Sequence, residues 1–124
     1  MSDAGADYIL VVDDDEDIRL TLQQILEEEG YPALTAANGA EALDVIRGEA
    51  RRLRLVLLDL MMPIMDGARF QAKLAEDPGL AAVPVVVISA GATSNQHSGV
   101  RAVRYLSKPV DLRTLMGTVR SLVA

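Results

Sequence analysis

Six side chains with chemical potential stand at four points of the chain: Asp13, Asp14 and Asp15 together, then Asp59, Ser89 and Lys108. Each follows or closes a short apolar run. Carboxylates brought together repel one another and raise each other's pKa unless a cation intervenes. Hard carboxylate oxygens with water suit Mg²⁺, which favours octahedral oxygen ligands. Lys108 is a strongly hydrated point charge, suited to a phosphate oxygen, and Ser89 can donate one hydrogen bond to the same group. A metal, an ammonium and a hydroxyl around one carboxylate make an acceptor for in-line phosphoryl transfer. Asp59, central and solitary, is the natural nucleophile of the set.

Such a site requires that these residues meet. The apolar runs are YILVV (8–12), PALTA (32–36), LVLL (55–58), VVVIS (85–89) and RYLS (104–107). Three are almost continuously apolar, as parallel strands covered on both faces should be. The intervening segments carry helical periodicity. Residues 16–29 place Ile18, Leu22, Ile25 and Leu26 on one stripe, closed by Gly30. Residues 39–50 carry Ala42, Leu43, Ile46 and Ala50, and residues 66–76 carry Phe70 and Leu74 before Asp77-Pro78-Gly79. Residues 111–123 carry Leu112, Leu115, Met116, Val119 and Val123. The stretch 91–103 is weaker. Five βα units predict an α/β, doubly wound, flavodoxin-like (βα)5 fold with a five-stranded parallel sheet in the order 2-1-3-4-5. In that order the carboxyl ends of the central strands deliver the acids, Ser89 and Lys108 to one rim, where ligands bind in such sheets.

Composition narrows the functional classes. At 124 residues, a single domain over 1–124 is expected. Half of the residues are hydrophobic but only four are aromatic, so Leu, Val, Ile and Ala must fill the core. With no cysteine there is no disulfide framework and no thiolate zinc site. A net charge of −6 argues against direct nucleic-acid binding. Arg51, Arg52 and Arg54 read as a solvated helix end and loop. The polar start MSDAGAD is unlike a signal peptide, and no apolar stretch suggests a membrane span. A cytoplasmic location fits these features. His97, the one histidine, lies in a polar segment and reads as surface.

The motifs ILVVDDDEDIR, VLLDLMMPIMDG, VVVISA and YLSKP, in that order, resemble the receiver domain of two-component response regulators. The resemblance covers nearly the whole chain. It implies that Asp59 is the phosphoacceptor, that Asp14 binds Mg²⁺ directly with Asp13 beside it acting through water, and that the backbone carbonyl of Met61 is a further metal ligand. It implies Ser89 as the switch hydroxyl, Lys108 as the phosphoryl-binding lysine, Tyr105 as the rotating aromatic, and a cis Lys108-Pro109 bond. Asp15 reads rather as a cap of the first helix. The implied partner is a histidine kinase or histidine phosphotransfer protein docking near the first helix. There Leu20, roughly 200° round from Ile18, points away from the core stripe. The implied role is a phosphoacceptor with slow self-dephosphorylation, not an enzyme, either as a stand-alone regulator or as a receiver cut from a larger one.

Two other functions share the topology. A flavin electron carrier would need a Ser/Thr/Gly loop after the first strand, which here is acidic. A phosphohydrolase with an aspartate nucleophile usually places that residue after the first strand and carries a cap domain. The chain departs from the receiver pattern between Ser89 and Lys108. Residues 91–99 offer no large apolar residue, and Gly91 and Gly99 each disfavour helix by about 1 kcal/mol relative to alanine. Arg101 stands in place of the usual turn glycine. The family's fourth helix is therefore expected to be short, displaced or mobile here.

Overall fold

The computed structural model describes residues 7–59, 67–89 and 101–123. Five strands, β1 (Asp7–Val12), β2 (Ala33–Ala36), β3 (Arg52–Leu58), β4 (Val85–Ser89) and β5 (Arg104–Ser107), form one parallel sheet in the order β2-β1-β3-β4-β5. The expected order holds. Four helices occur among the described residues: α1 (Glu16–Glu28), α2 (Gly39–Gly48), α3 (Gly67–Ala75) and α4 (Leu112–Val123). The expectation for residues 91–99 lies outside the described residues.

Alternation along the strands divides the core in two. Leu10, Val12, Val56, Leu58, Val85 and Val87 meet α2 and α3 through Ala42, Leu43, Phe70 and Leu74. Ile9, Val11, Leu55, Leu57, Val86 and Ile88 face the other way, against Leu22 and Leu26 of α1 and Leu115, Met116 and Val119 of α4. Both sheet faces are thus covered, which is why the runs YILVV, LVLL and VVVIS of the three central strands are almost continuously apolar.

Three sequence expectations need correction. The third strand begins at Arg52, not Leu55. Tyr8 pairs with Leu53 but Ile9 pairs with Leu55, so Arg54 is an extra residue in β3. This bulge puts Leu53 and Leu55 in opposite core layers, although they are two apart. Of the arginines, Arg52 and Arg54 accordingly belong to β3 while Arg51 lies in the bend before it; Arg54 pairs with Asp7 at 3.0 Å and Arg51 with Glu49 at 2.8 Å. Second, α2 stops at Gly48, and Ala50 is exposed rather than part of its apolar stripe. Third, Leu112 is 53% exposed, and the buried stripe of α4 runs through Leu115, Met116, Thr118 and Val119. Thr118 tolerates burial because its hydroxyl donates to the Thr114 carbonyl at 2.9 Å.

The end of α1 follows the reading closely. Gly30 takes φ +91°, its N–H donates to Glu27 O, and the Tyr31 N–H donates to Leu26 O. This pair of bonds satisfies the last carbonyls of the helix and needs a residue that accepts the left-handed conformation. No helix among the described residues is long and apolar enough to cross a membrane.

Candidate functional site

β1 and β3 are adjacent, so the residues that follow them come together. Asp13 continues β1 by one bond, its N–H donating to Ala36 O at 3.1 Å. Asp59 does the same beyond β3, donating to Val12 O at 2.9 Å. Both side chains are buried, at 3% and 4% exposure, whereas Asp14 is exposed. One carboxylate oxygen from each of Asp13, Asp14 and Asp59 lies within 4.8 Å of the others. Three carboxylates at that spacing are an all-oxygen set that fits Mg²⁺, with waters completing the shell.

Lys108 enters from two strands away. It follows β5 directly, and its bond to Pro109 is cis, as the resemblance implies. Its ammonium lies 2.8 Å from Asp13 Oδ2 and 3.2 Å from Asp59 Oδ2. Burial alone would lower the Lys108 pKa; the Asp13 hydrogen bond and the charges of Asp59 and Asp13 outweigh it and raise it. Burial raises the Asp13 carboxyl above its ordinary value. The bonds from Lys108 and the Asp15 N–H oppose this, and the Asp59 charge adds to it. The fold therefore holds an excess of negative charge out of water, with one ammonium between two of the three acids.

Asp15 is the N-cap of α1, accepting from the Asp17 and Ile18 N–H groups at 2.9 and 3.2 Å. It serves the helix and not the cluster. Tyr105 is half-buried, and its hydroxyl accepts from the Ala102 N–H at 3.3 Å. The backbone of Ser89 pairs with Ser107 at the end of β4, on the same rim. The Ser89 side chain and Met61 lie outside the described residues.

Two features of the site escaped the sequence reading. The sequence points Lys108 to a phosphate oxygen alone, whereas in the fold it pairs with Asp13; the 94 residues between them leave no local signal. Arg19 donates from Nη1 to the Asp13 carbonyl at 2.9 Å. An arginine in the first turns of an amphipathic helix looks like any surface charge, and no pattern marks it out.

Comparison with known proteins identifies the family of this fold. The model of the response regulator receiver domain family matches residues 9–120. The response regulator Rre1 of Synechocystis sp. is 38% identical over 120 residues, 94% of this chain but 51% of Rre1, so the chain spans about half of that relative. Protein PilH of Pseudomonas aeruginosa is 34% identical over 122 residues, covering 94% of this chain and 97% of PilH. Among solved structures, the chemotaxis response regulator CheY4 of Vibrio cholerae superposes with a TM-score of 0.82 at 30% identity, covering 94% of this chain and 98% of that one.

Proposed function

This chain belongs to the response regulator receiver domain family, and from that premise we propose that Asp59 is its phosphoacceptor. Receiver domains act as phosphoacceptors, generally bind Mg²⁺, and interact with histidine kinases or phosphotransfer proteins. The observation that carries the assignment is the burial of Asp59 at the end of a central strand, beside Asp13 and 3.2 Å from the Lys108 ammonium. In the reaction an Asp59 oxygen forms a bond to phosphorus as the bond from phosphorus to the donor's imidazole nitrogen breaks. An acyl phosphate remains on Asp59, and the imidazole leaves. Lys108 exchanges part of its contact with Asp59 for a phosphoryl oxygen, which keeps the ammonium paired throughout. Asp14, Asp59 and the Met61 carbonyl would hold Mg²⁺ directly and Asp13 through water; the ion supplies positive charge to the transferring oxygens. Ser89 and Tyr105 carry the switch roles that the family resemblance implies.

The receiver unit spans residues 1–124 in this reading, in the cytoplasm, and its output is a changed preference for a protein partner. With a net charge of −6 that output is not direct nucleic-acid binding. Acyl phosphates hydrolyse, so the site resets slowly; its role is that of a carrier rather than an enzyme. Incubation with acetyl phosphate and Mg²⁺, followed by intact-mass measurement, tests the acceptor. Wild type gains one phosphoryl mass and Asp59→Asn gains none; a full gain in the variant would mean that another acid is the acceptor. Asp14→Ala should weaken Mg²⁺ binding first.

The donor protein docks beside α1. Leu20 is 51% exposed there; on another side of the helix, a groove of about 480 Å³ between α1 and α4 is lined by Ile18, Ile25, Lys108, Val110 and Leu112. Leu20→Glu should slow transfer from the partner and leave labelling by acetyl phosphate unchanged. Equal loss with both donors would trace the defect to folding.

A further inference from the structure

Arg19 grips the peptide group that joins Asp13 to Asp14, because the carbonyl it binds belongs to that group. The rest of Asp13 is held independently. Its N–H donates to Ala36 O, its Oδ1 accepts from the Asp15 N–H, and its Oδ2 meets Lys108. Asp14 is held differently: its side chain is exposed, and its direction follows from the course of the turn between β1 and α1. Arg19 ties the first peptide of that turn to the helix the turn leads into, and so limits ψ of Asp13 and φ of Asp14. Loosening that tie lets the turn, and the Asp14 carboxylate with it, move away from the cluster while Asp13 stays anchored on the sheet.

We infer that Arg19 is a positioning residue for the acidic cluster, keeping Asp14 beside Asp59 by tying the turn that carries it to α1. Arg19 sits in the second half of the first turns of α1, near the positive end of the helix dipole, where a cation is otherwise disfavoured. The acids around it, Asp15, Glu16 and Asp17, offset that cost. Arg19 is half-buried, and its guanidinium is bonded to the carbonyl. Groups outside the coordination shell that orient metal-binding side chains commonly contribute about 10–100-fold to metal affinity.

The inference rests on the Mg²⁺ reading above and can be separated from it, because charge and geometry predict opposite signs. As a nearby positive charge, Arg19 opposes a divalent cation, so its removal would tighten Mg²⁺ binding by Coulomb's law alone. As a positioning residue, its removal loosens binding. Mg²⁺ is titrated into the full chain with backbone amide NMR as the readout, for wild type, Arg19→Lys and Arg19→Met. The expected result is about tenfold weaker binding in Arg19→Met, with Arg19→Lys in between because it keeps a donor and the charge. Equal or tighter binding in Arg19→Met overturns the inference. A second readout needs no metal. The order parameter of the Asp14 amide should fall in metal-free Arg19→Met while the amides of Val12 and Leu26 stay rigid. If wild type binds no Mg²⁺, the metal reading fails, and this second readout still decides the role of Arg19: an Asp14 amide as ordered in the variant as in wild type refutes it.

Discussion

Both ends of the sheet carry charged clusters built around β1 and β3, but they solve opposite problems. At the carboxyl end, Asp13, Asp14 and Asp59 face Lys108, and the two acids nearest the ammonium are buried. At the amino end, two acids each have their own arginine: Asp7 with Arg54 and Glu49 with Arg51. Arg51 also lies over the Tyr8 ring, 5.7 Å from its centroid. The pKa shifts follow this difference. Burial raises Asp13, whereas the hydrogen bonds from Arg51 hold Glu49 down at about 2. The amino end is neutralised and finished. The carboxyl end is short of positive charge, and that deficit is what a cation and a phosphoryl group with its own cationic partners can use.

The largest test of this contrast is Lys108→Met. It removes the ammonium between two buried carboxylates and should cost about 3 kcal/mol at neutral pH without metal, as breaking a buried pair does. Urea unfolding with and without Mg²⁺ checks this. Mg²⁺ should stabilise the variant more than wild type, while labelling by acetyl phosphate is lost. If Arg54→Met at the other end cost as much, the two ends would not differ in kind.

Next in size is a pair of opposite pH trends. Glu49 is lowered in the fold, so its contribution is present above 4.5 and is lost as pH falls toward 2. The gap in melting temperature between wild type and Glu49→Gln should therefore close on acidification. Asp13 is raised above 3.8, so the folded state holds its proton to higher pH than the unfolded chain, and stability falls as pH rises through the raised value. Metal-free wild type should therefore lose ground to Asp13→Asn as pH rises from about 4 toward neutrality. Parallel trends in the two variants would contradict the contrast. The smallest effect belongs to Asp7→Asn, which breaks a partly exposed pair. It should cost about 0.5 kcal/mol and fade in high salt.

What could be read without coordinates was whatever repeats over a few residues. Val85–Ser89 matched to the residue because a parallel strand buried on both faces must be apolar throughout, and the half-buried edge strand Arg104–Ser107 matched because polar Arg104 and Ser107 flank its Tyr-Leu pair. Asp15 as a cap and Gly30 as a helix end were legible because both bonds close within a single turn. Asp59 and Lys108 were legible as a pair at one rim because the strand order, once inferred, dictates which ends meet. The start of β3 was not, because the bulge at Arg54 shifts the alternation by one residue and hides Leu53 from its own strand. Leu112 was misplaced because periodicity defines a stripe but not its edge, which depends on the neighbouring helix. The Lys108–Asp13 pair and the Arg19 bond to the Asp13 carbonyl belong to packing alone. Each depends on where a long, rotatable side chain finds an acceptor, and only the assembled ends of β1, β3, β5 and α1 bring that acceptor within reach.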